Sequence, residues 1–352
     1  MPKTILHITD VLSVGGTEVL LKNTIPALKE YNHIIVYLHG ANEFKGHFAE
    51  IPVYCIEHTG KLTFLRSVKK LRKIIKKNKV DIIHSHLLWS GFIARLAKPK
   101  GVRLISSIHS VLSKDAFQKN RLSLWMEKLT ANKQDDVIGV SQYVIDDYLK
   151  FVSYKGRTHL LYNFIPAYFY RNVQFDNNQF NNKSPIRCVA VGGLKDVKNY
   201  SYILEAFAKI PAGSFELDII GEGQLRNTLQ QFITLHKLPI RFLGSKNAIQ
   251  EILPDYQLFI QASKYEGFGL AIAEAVASGL FPVLSDIPVH REITINEALY
   301  FDLASPDNLT DLLLTIKNES VNSTSFNTLR EHIKKITAPD NYLLQLREIY
   351  NA

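Results

Sequence analysis

Short apolar runs alternate with stretches of helical periodicity along nearly the whole chain. Residues 5–8 form an apolar run, followed by a loop with Gly15 and Gly16 and a helix-like pattern beginning near Thr17. Further apolar runs at 33–40 and 51–57 precede a segment in which Phe64, Leu65, Val68, Leu71, Ile74 and Ile75 recur at helical spacing. That spacing predicts a helix with one core-directed face. Strands then end at His84 and His86 and at His109, and another is followed by a helix that Ser141 is placed to cap. The second half restarts the pattern. A strand over 186–191 runs into Gly192 and Gly193, and Lys198 and Asn199 open a helix. Two more strand-then-glycine segments follow, then a strand leading into Ser263 and a small-residue helix that stops at Gly279. Strands alternating with helices predict parallel sheets covered on both sides, an α/β doubly wound architecture.

Length turns this single pattern into two units. At 352 residues the chain exceeds one ordinary core. Residues 1–166 and 186–335 each read as a Rossmann-like domain, with the polar, Asn-rich stretch 167–185 as linker and 336–352 as a terminal helix that returns to the first domain. Composition is that of a folded globular protein, with 46% hydrophobic and 21% charged residues. Cys55 and Cys188 are far apart in apolar runs, which argues against a disulfide framework. Asp10 interrupts the first apolar run too early for a secretory segment, so a cytoplasmic protein, soluble or peripheral, is expected.

Charge separates the halves. Residues 1–170 carry 25 Lys and Arg against 13 Asp and Glu, whereas 171–352 carry 17 against 20. Much of the excess lies on helix 64–77, where Arg66, Lys69, Lys70, Arg72, Lys73, Lys76 and Lys77 oppose the apolar stripe. Such a face is either simply solvated or adheres to an anionic membrane surface. No nucleic-acid motif accompanies it, so nucleic acid is not an expected partner.

The chemistry concentrates in residues 263–286. Glu266 sits in a loop beside Gly267 and Gly269, and Glu274 follows one or two turns into the helix. Glycines let the backbone approach a ligand and expose the first N–H groups of the helix, which suits a diphosphate. Two carboxylates so placed suit two hydroxyl-bearing groups, a sugar and a ribose. The plainer reading is an ordinary strand-loop-helix unit with both carboxylates solvated. No G-x-G-x-x-G is present at Gly15, which weakens a dinucleotide reading. No HxxxH, CxxC or Asp-x-Asp spacing points to a metal. His86 and His109 close comparable strands, where a histidine is either a structural hydrogen-bonding residue or part of a ligand crevice.

The segment Glu266-Gly267-Phe268-Gly269-Leu270 followed by Glu274 resembles the E-x7-E element of the retaining GT-B glycosyltransferases of family 4. The resemblance extends to Gly15, Gly16 and Glu18, to the Gly193–Asn199 block, to Gly221 and Gly223, and to Leu243-Gly244. It implies a GT-B fold and a nucleoside diphosphate sugar as donor substrate, with no cofactor and no metal. Glu266 would then hold sugar hydroxyls, Glu274 the ribose, and Lys198 the diphosphate, while His109 lies near the transferred sugar. Glu18 and His86 fall on the acceptor side, with Gly15 and Gly16 near the donor phosphates. Gly193 stands where the family has an Arg, a departure that Lys195 is placed to offset. The implied activity is retaining transfer, with a UDP-sugar favoured, to a lipid-linked saccharide in bacterial surface polysaccharide synthesis. The alternatives are a GT-B epimerase or phosphorylase, and an inactive membrane-bound scaffold.

Overall fold

The computed structural model describes residues 2–13, 15–44, 46–48, 50–171, 180, 185–318 and 323–352. Most of the expected linker, residues 172–179 and 181–184, lies outside the described residues. The chain packs as two units, Met1–Asn163 with Asp340–Ala352, and Phe164–Pro339. The change of unit thus falls after Asn163, not after 166. Phe169 is buried, Arg171 N donates to Ala277 O, and the Tyr170 hydroxyl bonds the Thr337 hydroxyl at 2.8 Å, so the segment after Pro166 is fastened to the second unit.

In the first unit, strands β1 (Thr4–Thr9), β2 (Asn32–Tyr37), β3 (Val53–Cys55), β4 (Ile82–Ser85), β5 (Arg103–Ile108), β6 (Asp136–Gly139) and β7 (Arg157–Leu160) pair in the order β3-β2-β1-β4-β5-β6-β7. Every pairing is parallel. In the second unit, β8 (Ile186–Val191), β9 (Phe215–Ile220), β10 (Ile240–Gly244), β11 (Leu258–Gln261), β12 (Phe281–Ser285) and β13 (Leu299–Phe301) pair as β10-β9-β8-β11-β12-β13, again parallel. Strand order therefore reverses between β1 and β4, and between β8 and β11. Ligands of such sheets bind beyond the carboxyl ends of the strands at these reversals.

Alternation along β1 sends Leu6 and Ile8 to one face, where they join Ile34, Val36 and Ile83 against Val68, Leu71 and Ile75 of the helix Phe64–Lys77. The opposite face carries His7 and Thr9. The helix Phe64–Lys77 keeps its basic residues outward, with two amendments to the sequence reading. Leu65 is 71% exposed, because it stands to the side of the stripe in the first turn. Lys70 pairs with Glu57 and Arg72 donates to Leu96 O and Ala97 O, so two of the seven cations serve the fold. Among the described residues no helix is long and apolar enough to cross a membrane.

The terminal helix Pro339–Asn351 completes the first unit. Tyr342, Leu346, Ile349 and Tyr350 are buried, Lys3 Nζ donates to Tyr350 O at 2.9 Å, and Arg103 donates to Ile349 O at 2.6 Å. Tyr350 is fully buried and its hydroxyl meets His84 Nδ1 at 2.7 Å. Tyr350→Ala should therefore lower the urea stability of this unit by roughly 3–5 kcal/mol, the usual cost of deleting a buried aromatic. Leu344→Ala, on the exposed side of the same helix, should change it by less than about 0.5 kcal/mol.

Candidate functional site

The second unit builds its site at the β8/β11 reversal. A short turn over Asp196–Lys198 follows β8, Asn199 takes the left-handed conformation (φ 53°), and the helix Tyr200–Phe207 begins. Gly192 leaves room for Lys198, whose Cε would lie 3.1 Å from a Cβ there. Gly221 is required by its neighbour: with φ 148°, a Cβ would sit 2.0 Å from the carbonyl oxygen of Gly192. The turns after β8 and β9 thus press backbone to backbone, and Leu194 N donates to Glu222 O at 3.0 Å. Gly223 lies in the same turn, while Leu243 and Gly244 close β10 where its register shifts. Beside Gly193, the Lys195 stem fills the space a side chain would take, its Cε 3.6 Å from the virtual Cβ.

Glu266 follows β11 and is anchored at one oxygen. Its Oε1 accepts from Lys198 Nζ at 2.7 Å, Ser263 Oγ at 2.6 Å and Gln261 Nε2 at 2.9 Å. None of these bonds uses Oε2. Burial alone would raise the pKa of Glu266, but Lys198 and Ser263 outweigh it and hold the carboxyl below its usual range. Gln261 is set in turn by His290. His290 Nδ1 lies 2.8 Å from Ser285 O, so that nitrogen carries the proton and Nε2 accepts from Gln261 at 3.3 Å. Burial lowers His290 to about 4, which keeps it neutral. The Gln261 Oε1 is then left buried without a protein partner. Gln261, Ser263 and His290 were not singled out in the sequence; Gln261 and Ser263 lie at the end of β11, and His290 lies in the short helix Pro288–Ile293.

Gly267 and Phe268 lie in the buried turn after Glu266, Gly269 caps the helix Leu270–Ala277 with φ 97°, and Leu270 is its first residue. Glu274 stands in its second turn. Although part of its surface reaches solvent, desolvation of the carboxyl raises its pKa to about 8.

In the first unit, Gly15 caps the helix Gly16–Thr24, and the Glu18 side chain fills the turn. Glu18 Oε1 accepts from Thr9 Oγ1 at 3.1 Å, and burial raises its pKa. At the β1/β4 reversal, Asp10 and His86 share a cavity of about 230 Å³ with Arg95, Ser106, His109 and Glu127. Arg95 and Glu127 form a buried pair at 2.6 Å. His86 Nδ1, His109 Nε2 and Glu127 Oε2 are buried without a protein partner. Burial lowers His109 to about 4 and His86 well below its ordinary value. Asp10 accepts from Ser90 N at 2.7 Å and is likewise raised by burial. Its only sequence signal was its position one residue past the first strand. Ring nitrogens of His7, His84 and His86 also lie within 4.8 Å of one another, a cluster that spacing along the chain did not indicate.

Comparison with known proteins supplies the family. The family model "Glycosyltransferase Family 4" matches residues 14–167 and "Glycosyl transferases group 1" matches residues 172–336. The chain belongs to glycosyltransferase family 4. Among relatives of this glycosyltransferase, the N-acetyl-alpha-D-glucosaminyl L-malate synthase of Bacillus anthracis is 25% identical over 78% of this chain and 77% of that protein. The UDP-Gal:alpha-D-GlcNAc-diphosphoundecaprenol alpha-1,3-galactosyltransferase of Escherichia coli is 26% identical over 77% and 75%. The crystal structure of Anabaena Alr3699/HepE in complex with UDP-glucose superposes with a TM-score of 0.84 over 99% of both chains at 18% identity, which establishes the GT-B fold.

Glu274 gives the glycosyltransferase a measurable pH signature. Its folded pKa of about 8 lies above that of a free Glu, near 4.3. Between those values the folded state holds a proton that the unfolded state has released, so the contribution of Glu274 to stability falls as pH rises from about 5 to 8, while the buried neutral histidines contribute in the opposite sense. Glu274→Gln should remove this contribution, so that the urea midpoint at pH 8 minus that at pH 5.5 is more positive in the variant than in the wild type.

Proposed function

We propose that this glycosyltransferase moves a sugar, with retention of anomeric configuration, from a nucleoside diphosphate sugar to a hydroxyl of a lipid-linked saccharide in bacterial surface polysaccharide assembly. The observation that carries the donor half is the one-sided anchoring of Glu266. With Oε1 fixed by three donors, Oε2 remains to accept from sugar hydroxyls. Lys198 spends one N–H on Glu266 and has two more for a diphosphate. The N-terminus of the helix Leu270–Ala277 adds positive potential. Together they would stabilise charge developing on the departing nucleotide without a divalent ion. Lys195, lying in the space beside Gly193, supplies the cation expected there from Arg. Glu274 would bind the ribose, and His109 the face near the reacting carbon. No enzymic nucleophile is assigned.

A UDP-sugar is favoured because the Anabaena neighbour was crystallised with UDP-glucose and the E. coli relative is named for a UDP-Gal donor. The same name supports a diphospho-polyprenol acceptor. Attachment to the inner membrane face would use the exposed cations of the helix Phe64–Lys77 together with Leu62 and Leu65, which are 101% and 71% exposed.

Nucleotide release from a panel of UDP- and GDP-sugars, with and without a polyprenyl-diphosphate saccharide, tests this reading. Turnover should need the acceptor. Conversion of donor alone would indicate an epimerase, and failure of calorimetry to detect binding of either UDP or GDP would indicate a scaffold. Lys198→Ala and Glu266→Ala should each lower turnover at least about 10²-fold, as removal of a transition-state charge contact does, with circular dichroism unchanged. Normal turnover in Glu266→Ala would refute the site. Replacing Lys69, Lys73, Lys76 and Lys77 by Gln should weaken sedimentation with phosphatidylglycerol vesicles, each cation contributing about 1 kcal/mol.

A further inference from the structure

Five histidines, His7, His33, His84, His86 and His109, gather on one side of the first sheet, and three of them form a directed chain. His33 Nε2 lies 2.9 Å from Leu28 O, His33 Nδ1 lies 3.1 Å from His7 Nε2, and His7 Nδ1 lies 3.3 Å from His86 Nε2. A carbonyl oxygen can only accept, so His33 carries its proton on Nε2. Each of the three rings is neutral at pH 7: burial lowers all three pKa values, and repulsion between the rings lowers His7 and His86 further. One proton per ring then determines the rest. His33 Nδ1 must accept, so His7 donates from Nε2. His7 Nδ1 must accept in turn, so His86 donates from Nε2. The His86 Nδ1 is left as a bare lone pair, and that is the atom found buried without a partner.

We propose that His33 and His7 are positioning residues whose hydrogen bonds, referred to the Leu28 carbonyl, lock His86 in its Nε2–H tautomer, so that the cavity it lines receives a hydroxyl group and not an oxygen anion. His86 and His109 both line that cavity, as do Asp10 and Glu127. An anionic oxygen has no hydrogen to offer Nδ1 and would meet the carboxyl groups of Asp10, Asp115 and Glu127, with the Arg95 guanidinium already engaged by Glu127 and Thr130, whereas a saccharide hydroxyl supplies the missing donor. The same imidazoles do not make a good metal centre. Both nitrogens of His7 are taken by imidazoles, and those of His84 by the Tyr350 and Ser107 hydroxyls at 2.7 Å each. None of these partners bears the negative charge that a buried dication needs. A metal on His86 Nε2 would also force the proton to Nδ1, leaving a buried donor unpaired.

The inference deepens the acceptor-side reading of His86 and rests on it only for its kinetic arm. The structural arm is long-range proton-nitrogen NMR on the full-length chain labelled with 15N-histidine, with His86 assigned by comparison with His86→Gln. A pyridine-type Nδ1 and a protonated Nε2 at His86 are expected at pH 7. His33→Phe should turn that single tautomer into a mixture, while His33→Asn, whose amide oxygen replaces the Nδ1 acceptor, should preserve it. With a working acceptor, His33→Phe should lower kcat/KM for that acceptor about three- to tenfold, the worth of one misaligned hydrogen bond, with His33→Asn restoring it. A proton on His86 Nδ1, a doubly protonated ring among the three, an unchanged His86 in His33→Phe, or purification with one equivalent of zinc lost in His7→Phe would each overturn the proposal. If His33→Phe does not fold, the wild-type spectrum decides alone. A chain that transfers no sugar leaves the NMR result standing, so the two readings fail separately.

Discussion

A parallel sheet whose strand order reverses leaves the ends of two neighbouring strands uncovered by any crossover between them. Both units of this protein depend on that constraint. In the first, the reversal lies between β1 and β4 and exposes the ends that carry Asp10 and His86. In the second it lies between β8 and β11, which carry Lys198 and Glu266 just beyond them. Helices pack on the sheet faces and bury the aliphatic strands, so a polar group has few places to stand without loss. The reversal is one of them, and the side chains of the candidate sites collect there.

The two reversals solve the problem of buried polarity differently. The second unit uses charge. Lys198 and Glu266 neutralise one another at 2.7 Å, and Ser263 and Gln261 share the same carboxylate oxygen. A pair of this kind is worth little as net stability, since desolvation opposes its attraction. Its value lies in holding a carboxylate and an ammonium in fixed geometry with unused bonding capacity on each. Eight residues on, Glu274 has no comparable cation and its proton is held to about pH 8. The two glutamates of the E-x7-E element therefore differ in charge before any ligand arrives.

The first unit adds neutral imidazoles beside its own buried charge pair, Arg95 with Glu127. His7, His84 and His86 are buried together with pKa values driven well down by burial and by one another. Uncharged imidazoles cost less to desolvate than ions, and each can pass a hydrogen bond from one nitrogen to the next. The Glu18 carboxylate, folded against its own helix start and the Thr9 hydroxyl, is raised toward neutrality by the same desolvation. The basic surface that dominates this unit's charge stays outside, on the helix Phe64–Lys77.

The architecture was legible in the sequence because it rests on local periodicity, and periodicity survives in a single chain. Strand-helix alternation predicted the doubly wound sheets, and the Glu266–Glu274 segment with Lys198 marked the candidate site of the second unit by its resemblance to family 4. Leu65 was misplaced because a helical stripe does not say where a helix end overhangs its sheet. Gln261, Ser263 and Asp10 were missed because single polar residues at strand ends carry no spacing signal, and His290 because a lone histidine in the short helix Pro288–Ile293 carries none either. Tertiary structure alone decided their roles, and it alone made the histidine chain. Register pairs His7 of β1 directly with His84 of β4 and sets His33 of β2 diagonally opposite. Residues 79 positions apart, His7 and His86, thus come within hydrogen-bonding distance. Local pattern is a property of neighbours along the chain, whereas which nitrogen holds a proton depends on partners that only strand pairing brings together.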